Sequence, residues 1–316
     1  MFKTYTAAVH DAPTPSASRT HRGGWIGSDE HKRAFCRSFV DSHRPFRPEG
    51  VAWPDLDAVG RERLAALPIW NEAVRTEAET ALKVQTLGTI EPDPILAEAI
   101  ALQGYEEGRH AEILRRLTER YGIAVDAFPA PRPPKSPRWA FVSTGYGECI
   151  DSFFAFGLFA IGRRSQYFPA PLIDVFEPIM QEEARHILFV VNWVAYLRAR
   201  TPWALRPGFD ARFLWALGGQ LVEHARNAFR FGGGGSQQGF TMASHSAFED
   251  LSVRSFLELC LAENERRLEP YDARLPRPRL VPAAVRTALR FIRDGKSGRT
   301  AIAEAADAPS QNRRSA

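Results

Sequence analysis

Cysteine is scarce in this chain. Its 316 residues include three, Cys36, Cys149 and Cys260, and no two stand in a Cys-x-x-Cys spacing. That argues against a disulfide framework and against a cysteine-based zinc or rubredoxin-like centre. A reducing, cytoplasmic setting is expected. Long apolar runs are missing as well. No window approaches the roughly 18 uninterrupted apolar residues of a membrane span, and Met1-Phe-Lys-Thr-Tyr5 has no apolar signal-peptide core. Neither secretion nor membrane spanning is expected. No glycine-rich fingerprint for a flavin or nicotinamide is present, so electrons for any redox reaction would come from outside. Charge of one sign is not dominant: 41 Lys and Arg stand against 37 Asp and Glu, a net +4. Part of the basic excess is local, with Arg274, Arg277, Arg279, Arg286, Arg290, Arg293, Lys296 and Arg299 in the C-terminal region. A nucleic-acid or acidic-carrier contact is one use for such a region, and a solvated basic tail is the other.

What is present is helical patterning. Residues 1–50 are rich in Pro, Ser, His, Arg and Gly and read as a loosely ordered arm. Its histidines, His10, His21, His31 and His43, lack helical ligand spacing and are expected at the surface. Residues 51–295 read as one helical domain with a core over 67–200, and 296–316 as a flexible tail. A short helix is expected near 55–67, then long ones at about 67–90, 95–121, 141–164 and 172–200. Between the second and third long helices lie Pro129, Pro131, Pro133, Pro134 and Pro137, a stiff connection rather than a hairpin turn. Further helices are expected near 209–231, 246–269 and 283–293.

Two short motifs organise the rest. Glu106-Glu107-Gly108-Arg109-His110 and Glu182-Glu183-Ala184-Arg185-His186 each contain Glu-x-x-His within a helical run. Residues i and i+3 share a helix face, so one carboxylate and one imidazole can reach one metal ion. Each motif is preceded by a Glu on an apolar stripe. Glu77 lies with Val74, Ala81 and Val84, whereas Glu72 and Glu79 fall on the polar side with Arg75, Thr76 and Lys83. Glu148 lies with Ser152, Ala155, Phe156 and Phe159, and Asp151 is the competing carboxylate. Thirty residues separate Glu77 from Glu107, and 35 separate Glu148 from Glu183. A helix of about 20 residues spans about 30 Å, so these spacings suit two antiparallel helix pairs that bring their ligands to one level. The expected ligands are Glu77, Glu107, His110, Glu148, Glu183 and His186. Inward Glu from two helices plus Glu-x-x-His from two others is the dimetal carboxylate arrangement of ferritin-like bundles. The expected fold is therefore all-α, a ferritin-like four-helix bundle with additional C-terminal helices. The mixed oxygen and nitrogen donors favour two Fe ions, with a Mn/Fe pair as the alternative.

The two Glu-Glu-x-Arg-His motifs resemble the signature of soluble di-iron carboxylate oxygenases. That group includes multicomponent monooxygenase hydroxylases, acyl-carrier desaturases and arylamine N-oxygenases. The resemblance covers residues 67–200. It implies that Glu106 orients His186, that Glu182 orients His110, and that Arg109 and Arg185 balance charge. Small-subunit ribonucleotide reductases share the motifs but carry a tyrosine seven residues after the ligand Glu, where this chain has Leu114. Arylamine N-oxygenases carry an extra histidine one turn before the last motif, where this chain has Ile179. Ser152, one turn after Glu148, is the candidate catalytic hydroxyl by the same resemblance, or else a small packing residue. His224, beside Glu223, is either a seventh ligand or a core histidine.

The expected function is an O2-dependent di-iron oxygenase or oxidase. It would act on a small or carrier-borne organic substrate by hydroxylation, N-oxidation or desaturation. The alternatives are a tRNA-modifying hydroxylase and a non-catalytic iron-binding protein. Expected partners are the substrate, an external electron donor such as a ferredoxin or reductase, and a second copy of the chain in a homodimer. The Phe156 and Phe159 stripe beside Gly104 and Gly108 offers either room for an organic guest or plain core.

Overall fold

The computed structural model describes residues 25–67, 69–231 and 252–292, with the side chains of Leu221 and of residues 223–231 outside that description. Those residues contain helices and no strand, because the apolar positions recur at helical rather than alternating spacing. Helix α1 spans Asp29–Asp41, α2 Ala58–Ala66, α3 Trp70–Ile90 and α4 Pro94–Tyr121. Helix α5 spans Pro137–Ser165, α6 Ala170–Arg200 and α7 Arg206–Phe231. Two shorter helices follow, α8 at Val253–Leu268 and α9 at Leu280–Ala288. Among the described residues no helix is long and apolar enough to cross a membrane.

The α3–α4 turn is set by its own residues. The Asp93 side chain accepts hydrogen bonds from the backbone N–H groups of Ile95 and Leu96 at 3.0 and 3.4 Å, and Pro94 opens α4, where its missing N–H costs nothing. At the far end of α4, Gly122 adopts φ 66°, and Ile123 donates back to the Thr118 carbonyl at 2.8 Å, a left-handed helix stop that glycine favours. Helices α3 and α4 then run antiparallel in close contact: Gly88 lies against Ala101, and Gly104 against Gln85. Helices α5 and α6 form a second antiparallel pair, with Gly145 against Val190 and Gly162 against Ile173. Pro178 lies inside α6.

Two expectations need correction. Residues 29–41 of the expected loose arm form α1, capped by the Ser28 hydroxyl, which accepts from the His31 N–H at 3.0 Å. Its His31, Phe35, Cys36 and Phe39 are buried, and Phe35 and Phe39 pack on Phe189 of α6. His31 is therefore not a surface residue. It contacts the Asn192 side-chain oxygen at 3.0 Å, and burial holds its pKa below the ordinary histidine value despite that contact. His10 and His21 lie outside the described residues. Gly104 and Gly108 are not the floor of a guest pocket, since both face Gln85 of α3.

Helix α8 packs on α5, where Gly157 leaves room for Cys260. Phe153, Leu158 and Ile161 join Phe256, Cys260 and Val285 in a separate apolar cluster.

A Cβ at Gly104 would sit 2.9 Å from the Gln85 backbone nitrogen, whereas one at Gly108 would meet nothing nearer than 3.6 Å. Forcing the helices apart costs about 1–3 kcal/mol, more than the roughly 0.5–1 kcal/mol that replacing a helical glycine by alanine gains. Gly104→Ala should therefore lower stability, and Gly108→Ala should raise it by up to about 1 kcal/mol. Urea unfolding of the two variants beside the parent chain reads the signs directly.

Candidate metal centre

The two helix pairs lie side by side, α3 against α5 and α4 against α6, and the motifs of α4 and α6 face each other in antiparallel register. Ligand atoms of Glu107, His110, Glu183 and His186 all lie within 4.8 Å of one another, and all four residues are buried. The imidazole rings of His110 and His186 are 5.6 Å apart, centre to centre. Carboxylate oxygens surround them: His110 Nδ1 is 3.1 Å from Glu183 and 3.7 Å from Glu77, and His186 Nδ1 is 3.0 Å from Glu107. Despite this proximity neither Nδ1 atom makes a hydrogen bond. Of the six expected ligands, Glu107, His110, Glu183 and His186 form this cluster, Glu77 adjoins it at His110, and Glu148 lines the same cavity as Glu77, Glu107 and Glu183.

Both Nε2 atoms are held from behind. His110 Nε2 lies 2.9 Å from Glu182 and His186 Nε2 lies 2.9 Å from Glu106. An ionised carboxylate only accepts, so each Nε2 carries the proton and each Nδ1 faces the cluster. Arg109 donates to Glu182 and Arg185 to Glu106, both pairs fully buried. Arg185 also donates to the Phe39 carbonyl of α1 at 2.9 Å, and Arg109 stacks on the Phe46 ring at 3.9 Å. His43, expected at the surface, is tucked against Glu106. Its signal was available in the sequence: His31, Phe35 and Phe39 repeat every four residues, and His43 continues that stripe. His43, Glu106 and Glu182 also come close enough to resemble a second ligand group, but the guanidiniums of Arg109 and Arg185 already neutralise those carboxylates.

Glu148 is the least satisfied group. Both of its carboxylate oxygens are buried without a hydrogen-bond partner. Burial raises its pKa well above the ordinary value, and the charges of Glu107 and Glu183 raise it further. Burial also pushes Glu77 up to about 7, against the pull of His110. Its side chain is still 26% exposed, because it faces a cavity rather than packed protein. For Glu106 burial is outweighed by hydrogen bonds to His186 and His43, and its carboxyl is held well below the usual range. For His110 and His186 burial is likewise outweighed, by Glu182, Glu183 and Glu77 in one case and by Glu107 and Glu106 in the other, so both are raised well above 6.5.

The cavity has a volume of about 410 Å³ and reaches Glu77, Glu148 and Glu183. Ser152 lies on its wall and donates to Glu183 Oε2 at 3.3 Å. Leu114 and Ile179 also line it. Phe159 faces the cavity beside Phe176, while Phe156 is fully buried elsewhere in the core. Glu72 and Glu79 pair with Arg75 at 2.6 and 2.7 Å and line the same cavity. Asp151 lines the cavity and is not part of the four-residue ligand cluster. The side chain of His224 lies outside the described residues.

The donor set fits a pair of divalent cations. Four carboxylates match the four positive charges of two such ions, and the unpartnered oxygens of Glu148 and the unbonded Nδ1 atoms are the groups that would bind them. In the metal-free protein Glu77 titrates near pH 7 and the two histidines above their ordinary range. Ligands must lose these protons to bind, so affinity rises with pH through this window. Fe(II) affinity should fall at least about tenfold between about pH 8 and about pH 6, with release of more than about one proton per bound pair at neutral pH. Anaerobic titration in two buffers of different ionisation enthalpy measures both, and a pH-independent affinity would rule out these ligands.

No family model matches the chain, and neither does any curated protein or solved structure.

Proposed function

We propose that the chain is a ferritin-like four-helix-bundle oxidoreductase that holds two iron ions and uses O2 to oxidise an organic substrate. The four helices are α3, α4, α5 and α6, each supplying at least one ligand. Glu148 carries the reading. A buried carboxylate with both oxygens unpartnered is costly to keep, and its place beside Glu107 and Glu183 adds like-charge repulsion. Two divalent cations remove both costs. Oxygen and imidazole donors without thiolate suit iron or a manganese–iron pair better than copper.

Glu77, Glu107, His110, Glu148, Glu183 and His186 would hold the ions. A bound iron pair supplies the redox chemistry with O2, which no side chain here provides. The remaining residues position and exclude. Glu106 and Glu182 fix the imidazole tautomers from behind. Ser152 steadies one oxygen of Glu183 while facing the cavity. Leu114 and Ile179 keep the cavity wall apolar beside the ligands. The cavity supports an enzyme over an iron-storage protein, since storage needs no guest-sized space at the metal. With no nucleotide motif in the chain, a ferredoxin or reductase would supply the electrons.

Protein loaded with Fe(II) anaerobically should hold close to two Fe per chain and consume O2 when exposed to it. One tightly held zinc with no iron uptake would sink the proposal. Within α3, Glu77→Gln should lose iron or O2 reactivity with the fold intact. Glu72→Gln and Glu79→Gln, which remove partly exposed partners of Arg75, should load iron like the parent and cost no more than the roughly 0–1 kcal/mol of a surface ion pair. Iron per chain and O2 uptake, measured on the three variants side by side, test the face of α3 that points at the metals.

A further inference from the structure

Resting on the dimetal reading, we propose that the substrate is a free, uncharged and largely apolar molecule. Its bulk would lie beyond the ligands, at the end of the cavity walled by Trp70, Leu114, Phe159, Phe168, Leu172 and Phe176. Trp70 comes from the start of α3, Leu114 from the end of α4, Phe159 from the end of α5, Phe168 from the α5–α6 connection, and Leu172 and Phe176 from the start of α6. Antiparallel pairing puts all four of those ends on one side of the metal-ligating carboxylates. The ligands therefore sit partway along the cavity, with an aromatic compartment on one side. A volume of about 410 Å³ lies within the roughly 300–1,000 Å³ of small-molecule sites.

The choice between a neutral and an acidic guest follows from the charges on the wall. Among the described residues the bases lining the cavity, apart from His110, are Arg75 and Lys83. Arg75 is paired with Glu72 at 2.6 Å and Glu79 at 2.7 Å, and Lys83 with Glu79 at 3.5 Å. Lys83 is on the α3 stripe 72, 76, 79 and 83, beside the inward stripe 73, 77 and 80, and Arg75 is held against that stripe by Glu72 and Glu79, so both bases flank the mouth. Among the described residues a carboxylate or phosphate, free or on a carrier protein, meets no uncommitted cation in the outer cavity, and burying its charge there unpaired is costly. A neutral molecule loses nothing at the mouth and gains the burial of its apolar surface within.

N-phenyl-1-naphthylamine, a neutral fluorescent probe, tests this on the full chain, metal-free and anaerobically Fe(II)-loaded in parallel. One saturable site per chain is expected. 1-Dodecanol should displace the probe at a concentration at least about tenfold lower than dodecanoate. Leu114→Trp and Leu172→Trp should each weaken probe binding at least about tenfold while helical circular dichroism and iron content stay at the parent values. If one variant fails to fold, the other carries the comparison. Equal or better displacement by dodecanoate overturns the proposal, as does parental probe affinity in a folded, iron-loaded variant. Iron uptake without probe binding removes the substrate class and leaves the dimetal centre standing. Probe binding by a chain that takes up no iron overturns the dimetal reading, and the substrate assignment falls with it.

Discussion

Four carboxylates brought to one buried level repel one another, and most of the chain's arrangement answers that repulsion. The two helix pairs supply Glu77 and Glu107 from one side and Glu148 and Glu183 from the other, with His110 and His186 between them. A further pair of acids, Glu106 and Glu182, is neutralised locally by Arg185 and Arg109. Those ion pairs are fully buried, where the loss of either partner is severe, on the order of 3–5 kcal/mol. The inner four have no such guanidiniums, and Glu148 has no hydrogen bond at all. The structure therefore provides for six charges unequally, and the group left without protein counter-ions is the one shaped for cations.

The helices and the inward face of each were legible because both follow from local periodicity. Glu77 could be told from Glu72 and Glu79 because the apolar stripe of α3 passes through only one of them. The spacing of Glu107 with His110, and of Glu183 with His186, placed each pair on one face before any packing was known. What escaped depends on packing between distant segments. Helix α1 looked like part of a polar arm because Pro, Ser and Arg dominate its neighbourhood, yet its Phe35 and Phe39 dock on Phe189, about 150 residues later in the chain. His43 reaches Glu106 only as a result of that docking.

The cavity was harder still to foresee. Phe156 and Phe159 are neighbours on one turn of α5, but the first is sealed in the core and the second faces the cavity. Gly104 and Gly108 looked like room for a guest, whereas they are where α3 approaches α4 at Gln85. A glycine in a helix announces that something comes close. It does not say whether that neighbour is a ligand or another helix.

The crossing of the orienting acids has a consequence for how the molecule must be built. Glu106 stands on α4 but serves the histidine of α6, and Glu182 stands on α6 but serves the histidine of α4. Neither helical hairpin encloses a finished half of the centre. Each imidazole takes its fixed tautomer only once the opposite hairpin is in place, so the centre is a property of the assembled interface rather than of either motif. A duplicated motif usually suggests two modules that work side by side. Here the two copies are interlocked, and a fragment containing one of them would carry donors without the partners that aim them.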